Sequence, residues 1–422
     1  MIKAHNCLDV VVIGGGAAGF FGAIACAEAN PRARVTILEA GSHTLAKVKI
    51  SGGGRCNVTH HCFDPGQLVQ NYPRGGRALR GAFSRFQPQD TVRWFRHRGV
   101  KLKTEADGRM FPVTDDSFTI IDCLTKAANK AGVIVKTNSS VSKVCKINPE
   151  KQSKNSKTFQ LELRNGNKMQ CDRLLIATGS NPLGYRWAKA LGHQIETPVP
   201  SLFTFKINDP RLQNLAGVSS DFAKVTLLNS GKKNLSQTGA ILITHWGLSA
   251  PAILKLSAWG ARVLADHKYK MTLQVNWLPN YNQESLRSYL IGLKTEIPKK
   301  KIINYCPLDL PKRLWQHLVE FVDISPERIW TELTKQELNR LVLELLQGQF
   351  QINGKGVFKD EFVTCGGVRL KEVNFKTMAS KICPDLYFAG EVLDIDGVTG
   401  GFNFQSAWTT GWLAGKGLAQ VE

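Results

Sequence analysis

The stretch LDVVVIGGGAAG, residues 8–19, constrains the fold more than any other part of the chain. It begins as a short apolar run of the kind that forms a strand buried on both faces, and it then turns through three spaced glycines. In such a turn Gly14 allows the tight bend, Gly16 lets the backbone approach a pyrophosphate, and Gly19 lets the following helix pack against the strand. The pattern predicts a strand, a phosphate-binding turn and a helix.

The residues after this turn strengthen the prediction. An apolar helix of small residues runs to Asn30 and ends at Pro31, and a second strand, RVTILEA, reaches Glu39 twenty residues beyond Gly19. Together these features match the β-α-β fingerprint of dinucleotide-binding proteins, in which the acid accepts hydrogen bonds from the adenosine ribose. A glycine-rich turn that serves packing alone would leave Glu39 as a coincidence. The motif does not decide between FAD and NAD.

Length and composition indicate a globular protein of two to three packed units, since the chain has 422 residues and is 43% hydrophobic. The longest apolar runs are interrupted by glycine, so no membrane-spanning helix is expected. The N-terminal segment has no apolar signal region, which favours a cytoplasmic protein. The ten cysteines include no C-x-x-C pair and are expected to be reduced thiols.

A compact group of possible ligands, Cys56, His60, His61 and Cys62, lies within seven residues. Four ligands so close in sequence do not resemble the paired spacing of a zinc site. We therefore expect a loop with ordinary thiols and imidazoles, and no metal.

The chain is strongly basic, with 55 Lys and Arg against 34 Asp and Glu and a formal charge of +21. Such a charge favours association with polyanions or anionic surfaces. A basic solvated surface with a pocket for anionic ligands is the favoured interpretation, and a nucleic-acid partner is the alternative.

Longer motifs appear later in the chain. RLLIATGS, residues 173–180, is another strand-like run, and residues 384–415 combine a strand, a glycine-rich loop and a small-residue helix. With KVKISGGGRCN, GRMFP, THWGLSAPAILKLS and TMASKICPDLYFAGEVLDIDGVTGGFNFQ, the chain resembles the two-dinucleotide-binding-domain flavoproteins. Within them it resembles the aminoacetone-oxidase-like family of FAD-binding oxidoreductases, the BaiN and YhiN type.

The resemblance implies an α/β fold: a Rossmann-like FAD-binding domain of the glutathione-reductase type with inserted β-barrel and helical subdomains. The FAD-binding domain would be discontinuous, formed by residues 1–194 and 356–422, with a barrel at 195–280 and a helical domain at 281–355. Strand-like runs such as KVTLLN and MTLQVNW, followed by helical runs such as TKQELNRLVLELLQ, agree with this division.

The loop KISGGGRCNV would lie over the cofactor. Its bare amides can form an anion-binding concavity, and Arg55 can add a delocalised charge. The candidate contacts in this region, the outer ones by resemblance, are Lys47, Lys49, Ser51, Gly52, Gly53, Gly54, Arg55, Cys56 and Asn57. For Cys56 we favour a packing role or a place beside the flavin over redox chemistry, because no second cysteine has exchange spacing.

The remaining candidate cofactor contacts lie in six segments. Glu391 falls where related flavoproteins place an acid on the ribityl hydroxyls. The turn at Gly400 and Gly401 would aim a helix N-terminus at the flavin pyrimidine edge, where it would raise the electron affinity. A helix that only caps the sheet is the alternative. The full set is Gly14, Gly16, Ala17, Ala18, Gly19, Glu39, Ala40, Val141, Ala177, Thr178, Gly179, Gly390, Glu391, Gly400, Gly401, Phe402 and Asn403.

The expected function is an FAD-dependent oxidoreductase that transfers hydride or electrons between a small organic substrate and NAD(P)H or oxygen. Without a second G-x-G-x-x-G or a C-x-x-C, a disulfide reductase is not expected, and NAD(P)H would act as a diffusing donor. The alternatives are a basic, RNA-modifying flavoprotein and a non-catalytic flavin-binding module. The short segment GSNPL after Thr178 departs from the family pattern, as do Ala250 and Phe402, so no substrate is carried over from the family. No catalytic residue is assigned.

Overall fold

The computed structural model describes residues 7–147, 157–231, 234–356 and 363–420. The chain divides into two compact units. The first consists of Met1–Pro198 together with Val363–Glu422, and the second is Val199–Phe362.

A seven-stranded sheet organises the first unit. Its strands are β1 (Asp9–Ile13), β2 (Arg34–Leu38), β6 (Ile134–Lys136), β10 (Arg173–Ile176), β19 (Val373–Asn374), β20 (Ala379–Ser380) and β21 (Leu386–Phe388). They lie in the order β19-β20-β21-β10-β1-β2-β6. The five strands from β21 to β6 are parallel, and the hairpin of β19 and β20 continues the sheet in antiparallel fashion.

Three smaller sheets and a set of helices complete this unit. The sheets are β3 (Thr59–His60), β5 (Arg109–Pro112) and β4 (Leu102–Thr104); β7 (Val141–Lys146), β8 (Phe159–Leu163) and β9 (Lys168–Cys171); and β11 (Ile195–Ser201) with β18 (Val363–Val368). The helices are α1 (Ala17–Ala29), α2 (Ala46–Ile50), α3 (Pro65–Leu68), α4 (Gly76–Phe83), α5 (Pro88–Arg96), α6 (Ser117–Lys130), α7 (Pro182–Ala190) and α13 (Phe402–Leu418). Short 3₁₀ turns lie at Val69–Asn71, Leu370–Glu372 and Gly390–Val392.

Helices α1 and α13 pack closely against each other, and their small residues explain why. A Cβ atom at Gly411 would lie 2.6 Å from Ala18 O, and one at Gly415 would lie 2.4 Å from Gly22 O. Because these distances leave no room for a side chain, the two backbones can approach only where glycine is present. Both helices are buried along most of their length, and α1 packs between α13 and the large sheet.

The second unit is built on a closed six-stranded barrel. Its strands are β12 (Phe205–Ile207), β13 (Ser219–Leu227), β14 (Leu235–Thr244), β15 (Gly247–Ser249), β16 (Met271–Asn276) and β17 (Gly348–Lys355), in the order β12-β15-β14-β13-β16-β17. Alternate side chains such as Val225, Leu273 and Phe350 fill the interior. The Rossmann-type fold and the inserted barrel expected from the sequence are confirmed.

Helices cover this barrel and share its core. They are α8 (Pro251–Trp259), α9 (Ala261–Asp266), α10 (Gln283–Glu296), α11 (Lys312–Phe321) and α12 (Lys335–Gln347), with 3₁₀ turns at Pro210–Leu212 and Trp330–Glu332. The buried rings of Trp315 and Trp330 stack 6.4 Å apart, and Trp315 Nε1 donates to Ile302 O at 2.8 Å. Within the described residues no helix is long and apolar enough to cross a membrane.

The observed units differ from the predicted ranges at one informative place. The barrel-closing strand β17 lies inside the stretch 281–355 that the sequence assigns to a separate helical domain. Closing a barrel requires each edge strand to find a partner, and β17 pairs with both β16 and β12. Barrel and helices consequently form one unit, Val199–Phe362.

Candidate functional site

The carboxyl ends of four parallel strands meet at one edge of the large sheet. Gly14 N donates to Leu38 O at 2.9 Å, Ala177 N donates to Ile13 O at 2.9 Å, and Ala389 N donates to Ile176 O at 3.2 Å. The residues that follow β1, β2, β10 and β21 are thus neighbours. This edge is where ligands bind in open α/β sheets.

The first glycine-rich turn follows β1 and has two crowded positions and one open one. A Cβ atom at Gly14 would lie 2.4 Å from Ala177 O, and one at Gly19 would lie 1.9 Å from Gly14 O. At Gly16, the residue before α1, a Cβ atom would meet nothing within 4 Å. The backbone at Gly16 therefore faces open space at the N-terminus of a 13-residue helix, where the helix dipole favours negative charge.

Ala17 and Ala18 form the first turn of α1, beside the residues that follow β21. A Cβ atom at Gly390 would lie 2.8 Å from Ala18 Cβ, so the two segments are in contact. Gly390 N also donates to Thr410 Oγ1 at 2.9 Å, which ties this segment to α13.

Glu39 is held rigidly at the end of β2. Its Oε2 accepts from Gly15 N and its Oε1 accepts from Gly41 N, both at 2.8 Å. Ala40 beside it is exposed. Ser139 N donates to Glu39 O at 2.8 Å and brings the chain before β7 alongside. The side chain of Val141 points into the core and is 3% exposed, so only its backbone is available to a ligand.

The second glycine-rich loop runs from Ser51 to Asn57. Gly52, Gly53 and Gly54 all have left-handed φ values, and a Cβ atom at Gly53 or Gly54 would meet nothing within 4 Å. Cys56 N donates to Ser51 O at 2.9 Å and closes the loop. Gly54 N already donates to Ser51 O at 3.2 Å, whereas the backbone at Gly53 is open, as the sequence suggests for an anion-binding concavity.

Arg55 was expected to add a positive charge to this loop, but its guanidinium group is paired with carboxylates of the protein. Its Nη1 lies 2.7 Å from Glu105 Oε1 and 3.6 Å from Asp115 Oδ1, and its guanidinium lies 4.1 Å from the centre of the Phe111 ring. The hydrogen bond to Glu105 raises the pKa of Arg55. Sequence reasoning did not single out Glu105, which balances this charge.

Cys56 is completely buried, and burial raises the pKa of its thiol to about 12. Since the thiolate is the reactive form of cysteine, this side chain is protonated and inert near neutral pH. All ten cysteines, each at a described position, are free. Complete burial is compatible with both roles expected for Cys56, packing and a place beside the flavin.

The two lysines of α2 have different surroundings. Lys47 Nζ lies 2.7 Å from Glu391 Oε2, whereas Lys49 Nζ lies 5.2 Å from the centre of the Phe118 ring. Residues two apart on a helix do not share a face, so both lysines cannot face the same ligand. The structure brings Lys47 to the strand edge and directs Lys49 towards α6.

Glu391 joins α2 to the segment after β21. Besides the Lys47 contact, its Oε1 accepts from Thr364 N at 2.9 Å, and a Cβ atom at Gly179 would lie 3.6 Å from its Oε2. The side chain is 20% exposed, and its remaining lone pairs are open to a hydroxyl donor.

Two buried hydroxyls lie next to this carboxylate. Thr178 Oγ1 and Tyr185 Oη are buried and have no hydrogen-bonding partner among the described protein atoms. Burial raises the pKa of Tyr185, and the charges of Glu391 and Asp394 add to that effect. Tyr185, on α7, was not predicted from the sequence. Unpartnered buried hydroxyls are costly in a protein alone, and they fit a site completed by a polar ligand.

The C-terminal loop is fastened to the second glycine-rich loop. The Asn57 carboxamide lies 3.0 Å from both Thr59 O and Gly401 N, and Tyr72 Oη donates to Phe402 O at 2.6 Å. Asn403 Oδ1 accepts from Gly397 N at 2.8 Å. These bonds hold the N-terminus of α13, and they place Gly400 beside the His60 ring, which stacks on Phe402 at 4.7 Å.

A buried ion pair supports the same loop. The Asp396 carboxylate is completely buried and receives the Arg74 guanidinium through two nitrogens. Leaving such a carboxylate unpaired would cost about 3–5 kcal/mol. Arg74 and Asp396 are 322 positions apart in the sequence, so no local sequence pattern predicts that they pair.

Among the described side chains, no group of three or more His, Cys, Asp and Glu is arranged to hold a metal ion. His60 Nε2 lies 3.1 Å from Asp107 O, and His61 packs against Phe63.

Comparison with known proteins places this geometry in a family. The model of the HI0933-like protein Rossmann domain matches residues 8–417. The chain belongs to this family. It is 30% identical over 421 residues to the "ribosomal RNA dihydrouridine synthase" of Escherichia coli strain K12, covering 97% of this chain and 98% of that protein. It is 28% identical over 417 residues to the "3-dehydro-bile acid delta(4,6)-reductase" of Clostridium scindens, with the same coverage.

Among solved structures, the 3-ketosteroid-delta4-(5alpha)-dehydrogenase of Rhodococcus jostii RHA1 aligns with a TM-score of 0.51 at 14% identity, covering 99% of each chain. At that identity the likeness shows the fold alone. With the family match, the protein is an FAD-dependent oxidoreductase, as the sequence predicts. The residues present fit FAD: open backbone at Gly16 and Gly53, the carboxylate of Glu39, and the unpartnered hydroxyls of Thr178 and Tyr185.

Proposed function

We propose that this protein is an FAD-dependent reductase that saturates a carbon–carbon double bond conjugated to a carbonyl group, with NAD(P)H as electron donor. The observation that carries the proposal is that two relatives, each aligned over 97% of the chain, have names that describe this bond change on different substrates. Dihydrouridine is uridine with its ring double bond saturated, and a delta(4,6)-reductase of a keto steroid saturates ring double bonds. In both cases a carbonyl polarises the double bond.

The dinucleotide half of FAD would bind at the two glycine-rich segments. The open backbone at Gly16 and the N-terminus of α1 favour the pyrophosphate, and the open backbone at Gly53 offers a second anion-binding surface. Glu39, already oriented by Gly15 and Gly41, would accept from the ribose hydroxyls.

The flavin half would bind along Glu391 and the N-terminus of α13. Glu391 is oriented by Lys47 and Thr364, which leaves its free lone pairs for a ribityl hydroxyl. The buried hydroxyls of Thr178 and Tyr185 would gain partners there. When bound, FAD supplies the two-electron chemistry by accepting a hydride from one substrate and delivering it to another.

The electron balance requires one two-electron donor for each double bond reduced. NAD(P)H supplies the hydride, and solvent supplies the proton that completes the saturated product. The net charge of +21 would draw the anionic donor towards the protein, and raised salt should slow this approach.

An anaerobic stopped-flow experiment tests the proposal. The holoprotein is first reduced with NADH or NADPH, and the reduced protein is then mixed with 2-cyclohexenone, 4-androstene-3,17-dione or a uridine-containing RNA. Cyclohexanone, which lacks the double bond, is the matched control. We expect flavin reoxidation, and a saturated product by mass spectrometry, with at least one of the conjugated acceptors and none with the control.

The proposal would be contradicted if oxygen reoxidises the reduced flavin and none of the conjugated acceptors does. It would equally be contradicted by a flavin that neither NADH nor NADPH reduces while a chemical reductant does.

A further inference from the structure

Much of the positive charge of the chain is concentrated in one segment of the first unit. Residues 74–103 contain seven arginines, two lysines and a single acid, Asp90, and so carry a formal charge of +8 out of the total of +21. The segment comprises α4 and α5 with the loops around them. None of the interactions described for the FAD-binding edge uses these charges, except that of Arg74.

Both helices turn their charged faces outward. Helix α4 buries Leu79 and Phe83, and α5 buries Phe95, on the sides that contact α13. Arg77 and Arg80 are three residues apart on α4 and are exposed. Residues at this spacing share one helix face.

The same arrangement recurs on α5 and in the connection between the helices. Arg93 and Arg96 are three residues apart and exposed, and Arg85 between the helices is exposed as well, with its Nη1 donating to Lys376 O at 3.1 Å. We call the set Arg77, Arg80, Arg85, Arg93 and Arg96 the arginine surface.

Most of this charge is not balanced within the protein. Arg93 forms a long ion pair with Asp90, in which Nη1 lies 3.6 Å from Oδ1. In the part of the chain that the structure describes, no carboxylate lies within 4.0 Å of the nitrogens of Arg77, Arg80 or Arg96. Like charges three or four residues apart destabilise a helix by a few tenths of a kcal/mol per pair. An external anion would remove this repulsion.

We propose that the arginine surface binds a nucleic acid through its phosphate backbone. Arginine presents a planar fork of donors that matches phosphate, and arginines outnumber lysines here by seven to two. A membrane surface is disfavoured, because none of the large exposed hydrophobic side chains lies between residues 74 and 103, whereas interfacial helices insert such side chains. The inference goes beyond the proposed reaction and does not depend on it.

The surface should read phosphates and not bases. The tryptophan in this segment, Trp94, has the Arg98 guanidinium 3.8 Å from its ring centre and the Phe21 ring at 4.5 Å. Both contacts occupy the indole, which is thus poorly placed to stack on a base. Binding should therefore depend on the number of phosphates and very little on sequence or sugar.

The test is fluorescence anisotropy of the FAD-loaded full chain with a labelled 20-nucleotide RNA, titrated at several salt concentrations. The surface variant combines Arg77→Gln, Arg80→Gln and Arg96→Gln. The control removes the same charge from exposed lysines elsewhere on the first unit, with Lys130→Gln, Lys146→Gln and Lys189→Gln. The flavin absorbance and the melting temperature of each variant are compared with wild type to show that the fold is retained.

For the surface variant we expect the salt slope of log K to fall by about 2, at about 0.7 per phosphate contact, and affinity near 0.1 M salt to fall by roughly tenfold to a hundredfold. In the control variant, the salt slope of log K should fall by less than a third of the fall seen in the surface variant. A DNA strand of the same length should bind as tightly as the RNA. Turnover of a small conjugated substrate should be unchanged, which separates this proposal from the proposed reaction.

Three results would overturn the inference: no RNA binding by the wild type at low salt, equal losses in the surface and control variants, or tighter binding of anionic phosphatidylserine vesicles with the same dependence on the arginines. A preference for RNA over DNA of more than about tenfold would overturn the phosphate-only mode of binding.

Discussion

The two glycine-rich segments at the strand edge differ in what surrounds their glycines. In the first, a Cβ atom at Gly19 would lie 1.9 Å from Gly14 O, so the glycine is needed for helix α1 to pack on β1. In the second, a Cβ atom at Gly53 or Gly54 would meet nothing within 4 Å, and the left-handed φ values of 70° and 85° are the main constraint. Gly16 resembles the second group, since its surroundings are open.

The glycines of such a pattern therefore meet two different requirements, one of packing and one of ligand access. Crowded glycines should affect folding whether or not FAD is bound. Open glycines should affect FAD binding while the apoprotein remains folded. Substitutions at the two kinds of glycine can therefore separate the two requirements.

The largest effect is expected from Gly19→Ala. The added methyl group would fall against Gly14 O, and α1 would have to move away from β1, so we expect the FAD-free protein to lose about 3 kcal/mol or more of its free energy of unfolding. Thermal unfolding of the apoprotein measures this. Gly16→Val is the matched contrast: its apoprotein should melt within about 2 °C of wild type and yet retain no FAD, because the side chain blocks the phosphate. Wild-type flavin occupancy in Gly16→Val would show that the pyrophosphate does not approach this glycine.

A moderate effect is expected from Gly53→Ala. The backbone there has φ 70°, which costs an alanine about 1–2 kcal/mol, so FAD affinity should fall roughly tenfold as the loop relaxes. Gly53→Asn is the control, because asparagine tolerates the left-handed conformation and should recover part of the affinity. Calorimetric titration of each apoprotein with FAD measures the affinities of the wild type and the two variants. Equal affinities for all three proteins would mean that this loop does not contact the cofactor.

A smaller effect should separate the two lysines of α2. Lys47→Gln removes the partner of Glu391, and because Lys47 is 54% exposed we expect only a few-fold loss of FAD affinity, decreasing with salt. Lys49→Gln should bind FAD as wild type does, since Lys49 packs over Phe118. The same titration measures both. An equal loss in the two variants would contradict the division of α2 into two faces.

The smallest effect concerns a site away from the glycines. His193 Nδ1 lies 3.0 Å from Glu372 Oε2 and its Nε2 lies 2.8 Å from Ser380 Oγ. Burial lowers the pKa of His193 despite the carboxylate. As the pH falls through about 6.5, the unfolded chain takes up a proton that the folded chain resists, so stability decreases. His193→Gln should weaken this decline in melting temperature between pH 7.5 and 5.5, and identical declines would refute the assignment.

Local patterns sufficed to predict the first β-α-β unit and most barrel strands. The apolar run of β1 and the alternation of apolar and polar residues in β16 can each be recognised from a few consecutive residues. They could not predict that β17 closes the barrel, since it pairs with β12 across more than a hundred residues. Nor could they predict the Arg74–Asp396 pair, or that Lys47 and Lys49 diverge. These features depend on contacts that only the folded chain creates.

An experimental structure of the protein with FAD bound would show directly whether the two glycine-rich segments hold the cofactor. We expect pyrophosphate oxygens within about 3.2 Å of the backbone amides at the Gly16 turn, with Glu39 on the ribose and Glu391 on the ribityl chain. The open backbone at Gly53 should face the cofactor. FAD bound elsewhere, or phosphates beyond hydrogen-bonding distance of both glycine-rich segments, would contradict this expectation.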